Sequence, residues 1–144
     1  MRALTREGKK NDLIRRFAAY LTQDLASKDW VGEVGALFDY VKDEIRYQLD
    51  TTDTEVMSTA QEILLQGFGD CDDKAVLLAA LLESIGHHTG FAALAFTDDP
   101  QRYSHVIVLV WLRGRWVTLD ATEPQPLGWA PPGSKLWLVI FNQE

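Results

Sequence analysis

A single cysteine, Cys71, stands in a chain of 144 residues. One thiol cannot close an internal disulfide, so the chain must hold itself together with a packed core, and a reducing setting is expected. Positive charge is scarce too. Lys and Arg number 14 against 21 Asp and Glu, for a net charge of −7, and beyond the stretch Arg6 to Lys10 no basic cluster forms. Phosphate backbones are held by concentrated basic faces, so nucleic acid is not an expected partner. No apolar run approaches the roughly 20 residues of a membrane-spanning helix, so no membrane partner is expected. Met1 to Lys10 lacks the apolar centre of a secretory signal. Internal repeats and low-complexity segments are missing as well. A cytoplasmic protein is the expectation. With 47% apolar and 24% charged residues, the composition is that of one globular domain.

Taken in order, residues 1–10 read as a mobile or peripheral arm, and 11–144 as a single domain. Asn11 or Asp12 can cap a helix whose apolar face is Leu13, Ile14, Phe17, Ala18, Leu21 and Leu25. Asp29-Trp30 opens a second helix carrying Val31, Val34, Leu37, Phe38, Val41 and Ile45 at helical spacing. Tyr47 to Glu55 is polar and reads as a loop. Ser58 and Gln61 have capping-box spacing, predicting a short helix that stops at Gly67. The period then changes. Phe91 to Thr97 fits a strand, Asp98 to Gln101 a turn, and Tyr103 to Trp111 with Arg115 to Ala121 a hairpin about Arg113-Gly114. Glu123 to Ser134, with four prolines, is a loop, and Lys135 to Phe141 a last strand. Helices followed by strands predict α+β with an antiparallel sheet.

Gly67 to Ala75 brings the cysteine to the mouth of a further helix. Ala75, Val76, Leu78, Ala79, Leu82 and Ile85 recur at three and four residues, predicting an amphipathic helix that opens at Asp70 to Asp73 and stops at Gly86. Unpaired N–H groups and the positive end of the helix dipole at that opening favour a thiolate. A lone cysteine beside an apolar helix also serves as a small buried hydrophobe. The hairpin makes a statement about partners. A two-residue loop pairs Leu112 with Arg115 and sets Ile107 opposite Asp120, so His105 and Asp120 share a face as diagonal neighbours, roughly 7 Å apart by backbone. A helix whose N-terminus packs on that face would group Cys71, His105 and Asp120 as nucleophile, base and orienter. Each residue also has a purely structural use, His105 in the sheet and Asp120 as a turn cap.

Gly69-Asp70-Cys71-Asp72-Asp73, then Tyr103-Ser104-His105-Val106, then Gly114-Arg115-Trp116-Val117-Thr118-Leu119-Asp120-Ala121-Thr122 resembles the transglutaminase-like cysteine-enzyme superfamily, over about residues 30 to 124. The resemblance implies a papain-like α+β fold in which N-terminal helices precede a cysteine helix packed on an antiparallel sheet. It implies Cys71 as nucleophile, His105 as general base and acid, and Asp120 as histidine orienter. The implied reaction passes through an acyl-thioester on peptide or glutamine side-chain amides, with peptide hydrolysis expected ahead of acyl transfer or deamidation. The partner is then a protein or peptide substrate, with no cofactor and no metal. Compact chains with this signature look similar to ones in bacteria and their phages, so the alternative is a non-catalytic binding or structural module, for instance within a phage particle. Trp116 and Trp129 are expected to line a substrate groove near Asp120. The Cys71 N–H is one oxyanion donor, with Gln61, Gln66 or Trp30 as candidates for the second. Asp70, Asp72 and Asp73 crowd the thiol with negative charge, and capping accounts for them as well as a cation does.

Overall fold

Nine consecutive residues, Lys74 to Leu82, are buried in one helix, and everything else is laid around it. The computed structural model describes residues 1–49, 58–96 and 105–142. The expected turn at Asp98 to Gln101, the loop beyond Leu49, and Thr97, Tyr103 and Ser104 lie outside the described residues, as does the side chain of Trp137. In chain order the elements are α1 (Arg2–Lys10), α2 (Asp12–Thr22), α3 (Trp30–Glu44), β1 (Arg46–Tyr47), α4 (Ala60–Gln66), β2 (Phe68–Gly69), α5 (Cys71–Ser84), β3 (Thr89–Ala95), β4 (His105–Leu112), β5 (Arg115–Leu119) and β6 (Lys135–Phe141).

The helix α5 is apolar all round, not along one stripe, as a helix wrapped by other elements must be. Its spacing predicts an amphipathic helix because Leu77, Ala80 and Leu81 lie off the counted face, and they are buried too. Helices α1 to α4 cover one side. The other side meets an antiparallel sheet of order β5-β4-β3-β6. Val106, Val108, Val110 and Leu112 of β4 join the α5 core, while Ile107 clusters with Ala92 and Leu94 on the opposite face.

Helix starts follow their caps. Asn11 Oδ1 accepts from Ile14 N at 3.1 Å and Asp29 Oδ1 from Gly32 N at 3.0 Å. At α4 the cap is displaced by one residue from the expected Ser58. Thr59 Oγ1 accepts from Glu62 N and donates to the Glu62 carboxylate. α2 ends at Thr22, short of Leu25, with the Thr22 hydroxyl turned back on the Ala18 carbonyl. The hairpin has the two-residue loop, Arg113 and Gly114 both at positive φ (53° and 81°), and Leu112 pairs with Arg115. One pairing was not in the sequence pattern. β1 lies parallel to β2, Tyr47 beside Gly69, which ties the end of α3 to the approach to Cys71.

The expected arm at 1–10 is instead α1, docked on α5. Thr5 and Gly8 are buried, and a Cβ on Gly8 would meet the Ala80 and Ala60 methyls at 2.7 and 2.9 Å. A charged decapeptide hides this because its close approach runs through Gly8, with only Met1 and Leu4 as large apolar residues against the core. Gly8→Val should therefore lower stability by about 1–3 kcal/mol, the usual cost of overpacking a close contact. Urea unfolding followed by circular dichroism reads this. An unchanged midpoint would mean α1 does not bear on the core.

Candidate active site

The opening of α5 is held by a reciprocal pair. Asp70 Oδ1 accepts from Asp73 N at 2.9 Å, and Asp73 Oδ2 accepts from Asp70 N at 3.2 Å. Gly69 is required behind it, because a Cβ there would stand 2.6 Å from the Asp73 Cβ. Two of the three crowding aspartates are thus capping groups. Burial, with Asp70 and Asp72 adding, pushes the Asp73 carboxyl up to about 6. Cys71 is the first residue of the helix and half-buried, its Sγ 3.8 Å from Asp72 Oδ1.

His105 opens β4 and Asp120 follows the last residue of β5. Their side chains meet, Nε2 to Oδ2, at 2.8 Å. Asp120 is 2% exposed and uses its other oxygen to accept from Thr122 N at 3.0 Å and Thr122 Oγ1 at 2.7 Å. Burial pulls the Asp120 carboxyl up, but the His105 and Thr122 donors outweigh it and hold the group below the usual carboxylate range. His105 is pushed up to about 10, first by its bond to Asp120 and then by the Cys71 side chain, against burial. With Nε2 taken by Asp120, Nδ1 is the ring nitrogen left for the thiol.

The hairpin pairs Leu112 with Arg115 as a two-residue loop requires, but the cysteine helix covers the other face of the sheet. α5 packs on the face of Val106 and Val108, not on the face that alternation assigns to His105 and Asp120. The three residues come together at the end of the sheet, where one strand begins and another has just stopped. There the pleat no longer separates the two layers.

Other candidates lie elsewhere. Trp116 stands at the hairpin end of β5, its ring 5.3 Å from Trp111 and 4.8 Å from Phe141. That is the opposite end from Asp120, so it packs and does not line the site. Trp129 is docked on β5, its carbonyl accepting from Thr118 Oγ1 at 3.2 Å, two residues from Asp120. Gln61 is bonded to Asn11, Gln66 donates to the Phe68 carbonyl, and Trp30 lines a pocket with His87 and His88 at the far end of α5. None of these contacts runs to Cys71. Three neighbours were missed. Thr122 braces Asp120, a role visible in hindsight from the Asp-x-Thr spacing. Tyr47 is raised by burial and then by Cys71, Asp70, Asp72 and Glu123, which puts its phenol in electrostatic reach of the thiol. Lys74 is buried one turn along α5, where periodicity counts it as a solvent residue.

The sequence profile of the transglutaminase-like superfamily matches residues 15–121. The chain belongs to this superfamily. Its mixed helix-and-sheet fold is also that of solved cysteine-protease-like structures. A protein from Cytophaga hutchinsonii, provisionally assigned as a cysteine protease, superposes with a TM-score of 0.66 at 21% identity, over 89% of this chain and 42% of that one. A provisionally assigned protease from Parabacteroides distasonis gives 0.66 at 16%, over 87% and 26%. LapG from Legionella pneumophila gives 0.59 at 16%, over 93% and 80%. At such identities the likeness concerns the fold alone, and the transglutaminase-like chain spans less than half of the first two. Comparison with curated proteins finds no match. Among the described residues no helix is long and apolar enough to cross a membrane.

Proposed function

We propose that the chain is a thiol enzyme that cleaves amide bonds through an acyl-thioester on Cys71, with peptides ahead of glutamine side chains as substrates. The observation that carries this reading is the 2.8 Å bond of His105 to Asp120 beside the thiol at the head of α5. The thiolate attacks the carbonyl carbon, and the oxyanion forms against the Cys71 N–H and the helix dipole. His105 gives its Nδ1 proton to the leaving amine, and the C–N bond breaks. The neutral imidazole then takes a proton from water, hydroxide adds to the thioester, and the acid departs as the thiolate returns. Asp120 holds the ring throughout and favours its charged form. Trp129, on the loop beside Asp120, is the aromatic we assign to the groove wall.

A second reading, a non-catalytic binding or structural module such as a phage particle component, draws on one contact. Asp72 Oδ1 at 3.8 Å from Sγ favours the thiol over the thiolate. The pH dependence of iodoacetamide alkylation separates the two. For the enzyme, Cys71 should alkylate fast below pH 7 and about tenfold more slowly in His105→Ala. Alkylation that rises only near the ordinary thiol value of about 8.5 in both proteins would sink the enzyme reading.

A further inference from the structure

Lys74 is 2% exposed, a burial that lysine seldom accepts without partners. It stands one turn along α5 from Cys71, and the two line a cleft with Val106, Leu119 and Thr122 that is too tight to admit water. A dry path of this kind leaves charges poorly screened. Lys74 Nζ donates at 3.4 Å to the Lys42 carbonyl, in the last turn of α3, where carbonyls lack helical partners and the dipole is negative. Burial lowers the Lys74 pKa, opposed by Asp120 and then Asp43. The ammonium therefore meets the end of α3 through a hydrogen bond and the carboxylate that holds His105 through its field. Neither the capping pair at Asp70 and Asp73 nor the His105–Asp120 bond accounts for it.

We propose that Lys74 is a positioning residue of the thiol site, its buried ammonium fixing the potential across the first turn of α5 so that Cys71 ionises at lower pH than His105 and Asp120 alone would allow. This rests on the reading of Cys71 as a nucleophile. The cation opposes Asp72, whose Oδ1 lies 3.8 Å from Sγ, and the capping carboxylates Asp70 and Asp73 on the same turn of α5. Tyr47 on β1, its phenol raised by burial and then by Cys71, Asp70 and Asp72, stays neutral beside them, and Glu123 beyond β5 adds to the negative field at Tyr47. The cation faces Asp43 on α3, while the nearby Lys42 ammonium is engaged by Asp39 at 3.5 Å.

The test is the pH profile of Cys71 alkylation in Lys74→Met, which keeps the length without the charge, and in Lys74→Gln, which keeps a donor for the Lys42 carbonyl. Both should move the thiolate limb up by about one pH unit, roughly a tenfold loss of alkylation rate below the limb. A lysine that merely fills space would change melting temperature and leave the limb in place. An unmoved limb in folded Lys74→Met overturns the proposal, and so does a wild-type limb in Lys74→Gln, since the hydrogen bond would then suffice. Should neither variant fold, the Lys74 titration followed by NMR decides, in wild type and in Asp120→Asn. A downward shift on losing Asp120 supports the proposal, and indifference overturns it. His105→Ala keeps the two claims apart: a profile that responds to His105 but not to Lys74 removes this inference alone, whereas one indifferent to His105 removes the nucleophile reading beneath it.

Discussion

Cys71→Ala should abolish amide cleavage, by a factor of about 10⁴ or more, while the protein stays folded. The size follows from the chemistry: without the sulfur no acyl-thioester forms, and what remains is binding and the oxyanion site acting on water. The fold should survive for a local reason. The helix start is fixed by Asp70 and Asp73 through backbone and carboxylate bonds that the substitution leaves alone. Cys71 is half-buried, and alanine is the better helix former, so the stability change should stay within about 1 kcal/mol. Turnover on a peptide library, with circular dichroism on the same samples, measures both sides. A variant that keeps even a tenth of wild-type activity would place the nucleophile elsewhere. A variant that unfolds would give Cys71 the buried-hydrophobe role.

How far the sequence could be followed depends on the range of the force involved. Caps act over three residues, so Asn11 and Asp29 announce their helices, and Thr59 is missed only by the choice between neighbouring hydroxyls. A two-residue loop fixes hairpin register outright, so the approach of His105 to Asp120 is readable from Arg113-Gly114 alone. The three motifs suffice for the superfamily, although the match begins at residue 15, inside α2, and not near 30. What could not be read is settled between layers. Nothing local says which face of the sheet α5 covers, and the grouping at the sheet end follows from strand termini, not from alternation. Two-residue strands such as β1 and β2 have no period to detect. Lys74 breaks no helical pattern, since lysine is a good helix former, and it is buried by α3 and the ends of β4 and β5 arriving from elsewhere. Gln61 and Gln66, candidates for the second oxyanion donor, are drawn into bonds of their own for a related reason. Gln66 donates to the Phe68 carbonyl two residues on, while the Gln61 oxygen accepts from Asn11 of the α2 cap, a partner that only the fold brings near.

Asp120→Asn should cost catalysis about 10³–10⁴-fold and stability about 3 kcal/mol at pH 5.5, and the stability loss should fade in alkali. Asparagine has the same shape and can still accept from Thr122, but it neither stabilises an imidazolium nor fixes the tautomer as a carboxylate does. The direction with pH follows from the two shifts. His105 is raised from 6.5 to about 10, so its contribution is complete below pH 6.5 and is lost as pH climbs through 10. Asp120 is lowered from 3.8, so its contribution is present above that value and is lost as pH falls through the folded one. One interaction is seen from its two ends, and the shifts are not to be added. The pair thus stabilises most between about pH 4 and 6.5, and the wild type should weaken towards pH 10 while the variant stays comparatively flat. Urea unfolding of both proteins at pH 5.5 and 10.5 gives the difference at each end. A gap that does not shrink at pH 10.5 would mean Asp120 holds a neutral histidine. The thiol would then lack its imidazolium partner, however close the two side chains lie.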